Sequence, residues 1–374
     1  MVRRAVRYIA RNGPSSEQDR WEENPGINPF TIAVAIAALV GAAPWLSDDE
    51  RTAALDLADD WCARIEDWCY VTESRWTKEV GVPGHYIRMR PDPSAHGSAA
   101  EVKLQNRNGE TVAAADLVAM DFSYLSRLGL RADNDPRIVE TLKVVDHALG
   151  VDTPSGTIYH RYNEDGYGEK SDGSPYDGSG IGRGWPFLVG ERGHLAIGLG
   201  EDALPHIAAM MACASVGGLM PEQVWDTDPI PERGLEPGRP SGSAMPLLWT
   251  HSEFLKLARA RLTGTPIERL ASVAERYTRP RQAAASRWRD GAPSDRVDPG
   301  RPLVIEDTSP FTLHFGWNGW TGTDERAAKE NPLGVWEVRL DAVELAGKSS
   351  LEFTRRRDGK WEGTDHGLAI GDAG

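Results

Sequence analysis

Two short acidic clusters, each beside a tryptophan, are the residues of this chain best suited to chemistry. Trp21-Glu22-Glu23 lies near the N-terminus, and Pro221-Glu222-Gln223-Val224-Trp225-Asp226 lies past the middle of the 374 residues. Breaking a glycosidic bond takes one carboxyl group to protonate the departing oxygen and another to activate water, while indole faces stack on pyranose rings. Glu22 and Glu23 are neighbours and approach a ligand from one side, so Glu222 must face them across a cleft. In an inverting hydrolase the two carboxyls stand about 6.5–9.5 Å apart, which leaves room for the attacking water. An acid that works near neutral pH needs a pKa above the ordinary value of about 4.3. A water-excluding indole and a neighbouring anion both push it upward, and Trp21 and Glu23 are placed to do so.

Four segments carry a wider pattern. The first is Arg20-Trp21-Glu22-Glu23-Asn24-Pro25-Gly26, running into the apolar Phe30-Thr31-Ile32-Ala33. The second is Arg161-Tyr162-Asn163-Glu164-Asp165-Gly166-Tyr167, and the third is Gly182-Arg183-Gly184-Trp185-Pro186-Phe187 followed by Gly190-Glu191-Arg192-Gly193-His194. The fourth joins Pro221–Asp226 to Ser241-Gly242-Ser243-Ala244-Met245-Pro246-Leu247-Leu248-Trp249 and His251-Ser252-Glu253-Phe254. In order and spacing over about 250 residues they resemble the glucoamylase-type enzymes of glycoside hydrolase family 15, inverting exo-acting α-glucosidases.

That resemblance implies roles residue by residue. Glu22 corresponds to the general acid, Glu222 to the general base and Glu23 to a partner of the sugar near the scissile bond. Arg161 corresponds to an arginine that binds sugar hydroxyls, and Trp21, Tyr167, Trp185 and Trp249 to aromatic positions lining the cleft. The implied ligand is an α-glucan oligo- or polysaccharide such as starch or maltodextrin. Trehalose- and dextran-specific members form the alternative, as does a catalytically inactive carbohydrate-binding remnant. Glu191, Arg192 and His194 read as structural, and Glu253 as a supporting or surface residue.

The composition agrees with a neutral ligand. An excess of 56 acidic over 42 basic residues, with no long basic run, disfavours a nucleic-acid partner, whose binding is largely cationic in origin. Acid–base hydrolysis needs no cofactor, and no metal ligand set is read, although calcium in the Asp-rich loops stays open. Cys62 and Cys69 are about 10 Å apart along a helix, at a rise of ~1.5 Å per residue, too far to bridge. The apolar run from Phe30 to Leu46 is short for a membrane span and interrupted by Gly41 and Pro44, so it reads as a buried helix and no membrane partner is expected. The segment from Met1 to Asn12 lacks the continuous apolar core of a signal peptide and reads as an amphipathic helix, which leaves the compartment open.

The elements that must position these residues are mainly α. Apolar periodicity predicts helices over 2–12, 29–43, 47–69, 115–129, 135–148, 186–199, 203–216 and 245–262. Long loops fall between them at 70–114, 149–185 and 217–244, against connections of ~2–8 residues in compact bundles. The motif segments sit in or beside those loops, as a site on one rim of a barrel requires. The expected fold is an (α/α)6 toroid-type barrel over 1–278 that lacks its first four helices, because the family's general-acid segment follows the fifth. With those helices would go an Arg-Asp pair and an aromatic residue that hold the terminal glucose. A breaker-rich linker is expected over 279–300 and a small β-rich domain over 301–374, where Trp317, Trp320, Trp336 and Trp361 suggest either a carbohydrate surface or packing on the barrel. The full-length protein is expected to be a monomer.

Overall fold

A computed structural model describes residues 1–91 and 100–371. Its first three helices are α1 (Val2–Asn12), α2 (Pro29–Ala42) and α3 (Asp48–Cys69), each within two residues of its expected bounds. Sequence chemistry sets their starts. Asn28 accepts the Thr31 N–H ahead of Pro29 in α2, and Ser47 forms a capping box with Glu50 at the acidic first turn of α3. Helix α2 is apolar on nearly every side and is buried accordingly, with Ile32, Ala33, Ile36 and Leu39 fully enclosed.

A short helix α4 (Arg75–Val80) follows inside the first long loop, capped by Ser74 and closed by Gly81 in the left-handed region. The expected helix over 115–129 is not formed as such. Two 3-10 turns, Ala114–Asp116 and Met120–Phe122, lead into the five-residue α5 (Ser123–Arg127). The reason is tertiary: the Leu117 carbonyl accepts the Arg88 N–H, the Val118 N–H donates to Asn163, and Ala119 pairs with Tyr162. Cross-chain pairing outcompetes a helical pattern that the local sequence allows.

Helices α6 (Pro136–Leu149), α7 (Pro186–Gly198), α8 (Leu204–Ala212), α9 (Leu248–Thr263) and α10 (Ala271–Arg276) complete the helical part. Within it, α2 packs against α3 and α5, and α5 reaches α7, which is flanked by α8 and α9. A Cβ at Gly190 or Gly193 of α7 would lie 2.5 Å from Glu253 Cγ or 2.7 Å from Leu257 Cδ2 of α9, so those glycines permit the close approach of the two helices.

The C-terminal part is a sandwich of two sheets. One runs Thr321–Ala327, Thr312–Trp317, Ser350–Arg357, His366–Ile370 and Arg296–Val297, with Lys360–Trp361 paired to Ser350–Arg357. The other runs Lys329–Glu330, Trp336–Leu340, Leu303–Asp307 and Ser286–Trp288. Trp288, Ile305, Leu313, Phe315, Val338 and Phe353 share one core between them. Two of these strands, Ser286–Trp288 and Arg296–Val297, come from the segment read as a linker. Arginines join the two parts: Arg11 donates to the carbonyls of Gly334 (2.7 Å) and Thr308 (2.9 Å), Arg287 pairs with Asp56 at 2.6 Å, and Arg289 donates to the carbonyl of Ala10 at 2.8 Å.

Candidate active site

The loop after α1 is a tight turn organised by Asp19. Its Oδ1 accepts the backbone N–H groups of Trp21 (3.0 Å) and Glu23 (3.2 Å), and its carbonyl accepts that of Glu22 (3.0 Å). Its other oxygen receives the fully buried Arg88 guanidinium at 2.5 Å. Glu22 adopts φ 59°, a left-handed conformation that a side-chain-bearing residue holds only when its surroundings impose it. The turn therefore sends the two adjacent glutamates in different directions.

Glu23 points inward. Its oxygens accept from Arg88 (2.8 Å), Asn106 (2.6 Å), Arg161 (2.9 Å) and the Tyr162 hydroxyl (2.7 Å). Both oxygens are thus occupied by donors, two of them cationic, a setting that suits an acceptor better than a proton donor. Glu22 points outward: it is exposed, and its side chain makes no hydrogen bond or ion pair to the described residues. The enclosure by Trp21 expected for it is not found.

Arg161 sits at the centre of the candidate residues. It is buried, paired with Asp165 at 2.7 Å through both Nε and Nη2, and bonded to Glu23. Its guanidinium lies 5.0 Å from the Trp21 ring, 4.8 Å from Tyr167 and 5.6 Å from Trp185. Trp185 in turn meets Trp21 edge-on at 5.2 Å and Tyr167 at 6.3 Å. The indole N–H groups of Trp21 and Trp185 are buried and find no acceptor among the described residues.

Glu222 enters from the opposite end of the sequence. It is half-buried and receives the Tyr167 hydroxyl. Burial pushes its pKa above the ordinary carboxylate value, the Tyr167 hydrogen bond and the Arg161 charge pull it back, and neighbouring Glu169 adds to the rise. Glu222 and Tyr167 line a cavity of about 580 Å³ together with Glu169, Tyr176, Gln223 and Ser243. Glu169 and Gln223, among its lining residues, each have one buried oxygen without a hydrogen-bond donor among the described residues. A second cavity of about 300 Å³ is lined by Arg20, Trp21, Phe30, Tyr124, Phe187 and Trp249. Trp249 is exposed and lies 6.5 Å from Phe187.

The structure accordingly brings Trp21, Glu23, Arg161, Tyr167, Trp185 and Glu222 into one continuous set of contacts. Trp249 joins at the side through the cavity it shares with Trp21, and Glu22 is set on the exposed side of the same turn. Sequence reasoning missed Asp19, Arg88, Asn106 and Tyr162. Their only signal was position, Asp19 lying beside one of the segments already singled out and Tyr162 within another. Asp226, next to the base candidate, is structural: it pairs with His160 (2.7 Å) and Arg183 (3.0 Å) and accepts the Gly184 N–H (2.9 Å). Among the described residues no group of histidine, cysteine or acidic side chains is arranged to hold a metal ion.

Known proteins share this architecture. Residues 1–259 match the family model for glycosyl hydrolases family 15. A glucoamylase from Clostridium sp. (strain G0005) is 35% identical over 283 residues, which is 74% of this chain and 38% of that protein. The crystal structure of a bacterial glucoamylase complexed with acarbose superimposes with a TM-score of 0.67 at 34% identity, covering 74% of this chain and 40% of that one. This chain therefore spans well under half the length of the relatives it matches. The toroidal α architecture of that structure, the four motif segments and the family match converge on one statement: the chain belongs to glycosyl hydrolases family 15.

Proposed function

We propose that this chain carries the acid–base part of a glucosidase site and hydrolyses α-glucosidic bonds of starch-type glucans from the chain end, releasing glucose with inversion. Glu22 acts as general acid and Glu222 as general base. Trp21, Glu23, Arg161, Tyr167, Trp185 and Trp249 bind the sugar. The observation that carries this reading is the placement of Arg161, which bonds Glu23, lies against Trp21 and Trp185, and faces Tyr167 on its way to Glu222.

The chemistry follows from the two carboxyl environments. Glu222, half-buried and more basic than an ordinary carboxylate, removes a proton from water as that water attacks the anomeric carbon. Glu23, whose oxygens already accept four donors, meets a sugar hydroxyl only by exchanging one of them, which leaves Glu22 as the carboxyl of that turn free to deliver a proton. Burial of Glu22 would come with the ligand, whose rings exclude water from the exposed side of the turn. We further take the toroid's first four helices, and the groups they bring to the terminal glucose, to be absent from this chain.

The test is glucose release from maltose and longer maltooligosaccharides, with trehalose and dextran in the same panel. Glu222→Gln should abolish turnover, by about 10³-fold or more, while sugar binding is largely retained, because the amide keeps the shape but takes no proton. Turnover of Glu222→Gln at the native rate removes Glu222 from the mechanism. One observation favours a second reading, glucan binding without turnover: Glu22 is exposed and its side chain has no hydrogen bond or ion pair among the described residues. Binding of maltooligosaccharide without any glucose release would decide for it.

A further inference from the structure

Glu169 lies two residues beyond Tyr167 and lines the cavity that Glu222 lines. It is 6% exposed. Its Oε1 accepts the Gly242 N–H at 2.6 Å, while its Oε2 is buried and finds no donor among the described residues. The arginine that reaches it, fully buried Arg183, donates to its backbone carbonyl at 2.8 Å and pairs with Asp226 at 3.0 Å, which leaves the carboxylate itself without a cation.

The Gly242 N–H belongs to the loop on which Glu222 hangs. The Ala244 carbonyl accepts the Glu222 N–H at 2.8 Å, Ser243 Oγ accepts that of Gln223 at 2.9 Å, and the Gln223 carbonyl accepts that of Ser241 at 3.2 Å. A Cβ at Gly242 would stand 3.0 Å from Glu169 Oε1, so a glycine there admits the carboxylate to this backbone. The segment beyond Glu222 is tied to the same residue a second time, through Asp226 and Arg183 to the Glu169 carbonyl. Glu222 is thus held between two attachments to Glu169.

Fixing a loop takes an acceptor but not a charge, since a glutamine would receive the same N–H. A buried carboxylate with an unpartnered oxygen costs stability that a neutral residue would not. That charge has one visible target. Burial is the main cause of the raised Glu222 pKa, the Tyr167 hydroxyl and Arg161 oppose it, and Glu169 is the neighbouring charge that adds to it. The other charged or titratable groups around Glu222 are Tyr176, Glu232 and Arg233 of the shared cavity, and His251 of α9, which accepts the Met220 N–H at 3.0 Å.

We propose that Glu169 is a positioning residue for the base: its carboxylate pins the loop that carries Glu222, and its unpaired charge stands beside Glu222 to favour proton removal from water. This rests on the reading of Glu222 as general base.

The experiment is a carbon-13 NMR titration of the full chain labelled at its glutamate carboxyls, with the Glu222 signal assigned by its loss in Glu222→Gln. It needs no turnover. In Glu169→Gln the Glu222 midpoint should move to lower pH than in the native chain, while the Glu222 amide keeps its protection from hydrogen exchange. In Glu169→Ala, which also loses the Gly242 hydrogen bond, that amide should exchange about fivefold faster. On maltotetraose the acid limb of kcat/KM in Glu169→Gln should move the same way as the NMR midpoint, a change that a merely structural role would not produce. A Glu222 midpoint that stays or rises in Glu169→Gln overturns the proposal, as does unaltered exchange of the Glu222 amide in Glu169→Ala. Should the alanine variant not fold, the glutamine variant still decides. Failure of the base reading shows separately, as turnover of Glu222→Gln at the native rate.

Discussion

The two glutamates of Trp21-Glu22-Glu23 show how far neighbouring residues of one type diverge when a turn separates them. Asp19 and Arg88 fold the turn, Glu23 is drawn into four hydrogen bonds, and Glu22 is left outside with φ 59°. Glu222 meets a third environment, in which burial outweighs the Tyr167 hydroxyl and the Arg161 charge. A general base must be ionised, so activity is lost as pH falls through its pKa. The acid limb of kcat/KM on maltotetraose should therefore lie above the ordinary glutamate value of about 4.3. Tyr167→Phe removes a hydrogen bond that favours the anion, so that limb should move to still higher pH. An acid limb that does not respond to Tyr167→Phe would show that another group sets it.

At the scale of elements, the site loops are held by buried ion pairs between helices. Arg127 of α5 grips Glu253 of α9 at 2.6 and 3.1 Å and reaches Glu268 at 2.9 Å; both Arg127 and Glu253 are out of solvent. His194 of α7 lies 3.4 Å from Glu253, but burial and the Arg127 charge hold its pKa down at about 3, so the imidazole is neutral. Glu253→Ala strands a buried guanidinium with only Glu268 and should cost about 3–5 kcal/mol of stability. A urea melt that moves by less than about 1 kcal/mol would show the pair to be dispensable.

His194 adds a dependence on pH. Its folded pKa of about 3 is depressed relative to the unfolded 6.5, so the unfolded state takes up the proton first. Stability is complete above about 6.5 and falls as pH drops toward 3. Replacing His194 with Asn should flatten that slope, which urea melts across the same window would measure.

Periodicity, caps and apolar faces made seven of the helices legible, because local signals and tertiary packing agree there; Asn28-Pro29 and Ser47-x-x-Glu50 are examples. They disagree at 115–129, where Arg88, Asn163 and Tyr162 claim the backbone groups, and those partners are distant in sequence. For the same reason Glu23 and Arg161 could be named from their segments while Arg88 and Asn106, each alone in its stretch, could not.

At the scale of the whole molecule, the helical part and the sandwich are joined by arginines from both sides. Arg11 reaches carbonyls of the sandwich, and Arg287 and Arg289 reach back to α3 and α1. Of the tail's tryptophans, Trp317 and Trp336 pack against the sandwich core, and Trp320 and Trp361 stand outside it. Strand-like alternation or β-branched content at 303–305, 311–315, 334–340, 350–355 and 367–370 falls on observed strands, but Thr321–Ala327 was not legible, nor were Ser286–Trp288 and Arg296–Val297, where two or three residues among prolines and glycines carry no period.

The central claim, that water activated by Glu222 attacks opposite a leaving group protonated by Glu22, fixes the configuration of the product. Proton NMR of the first sugar released from maltotetraose by this chain measures it directly. The account predicts the β-anomer of glucose, appearing before mutarotation mixes the two forms. Release of the α-anomer would contradict it.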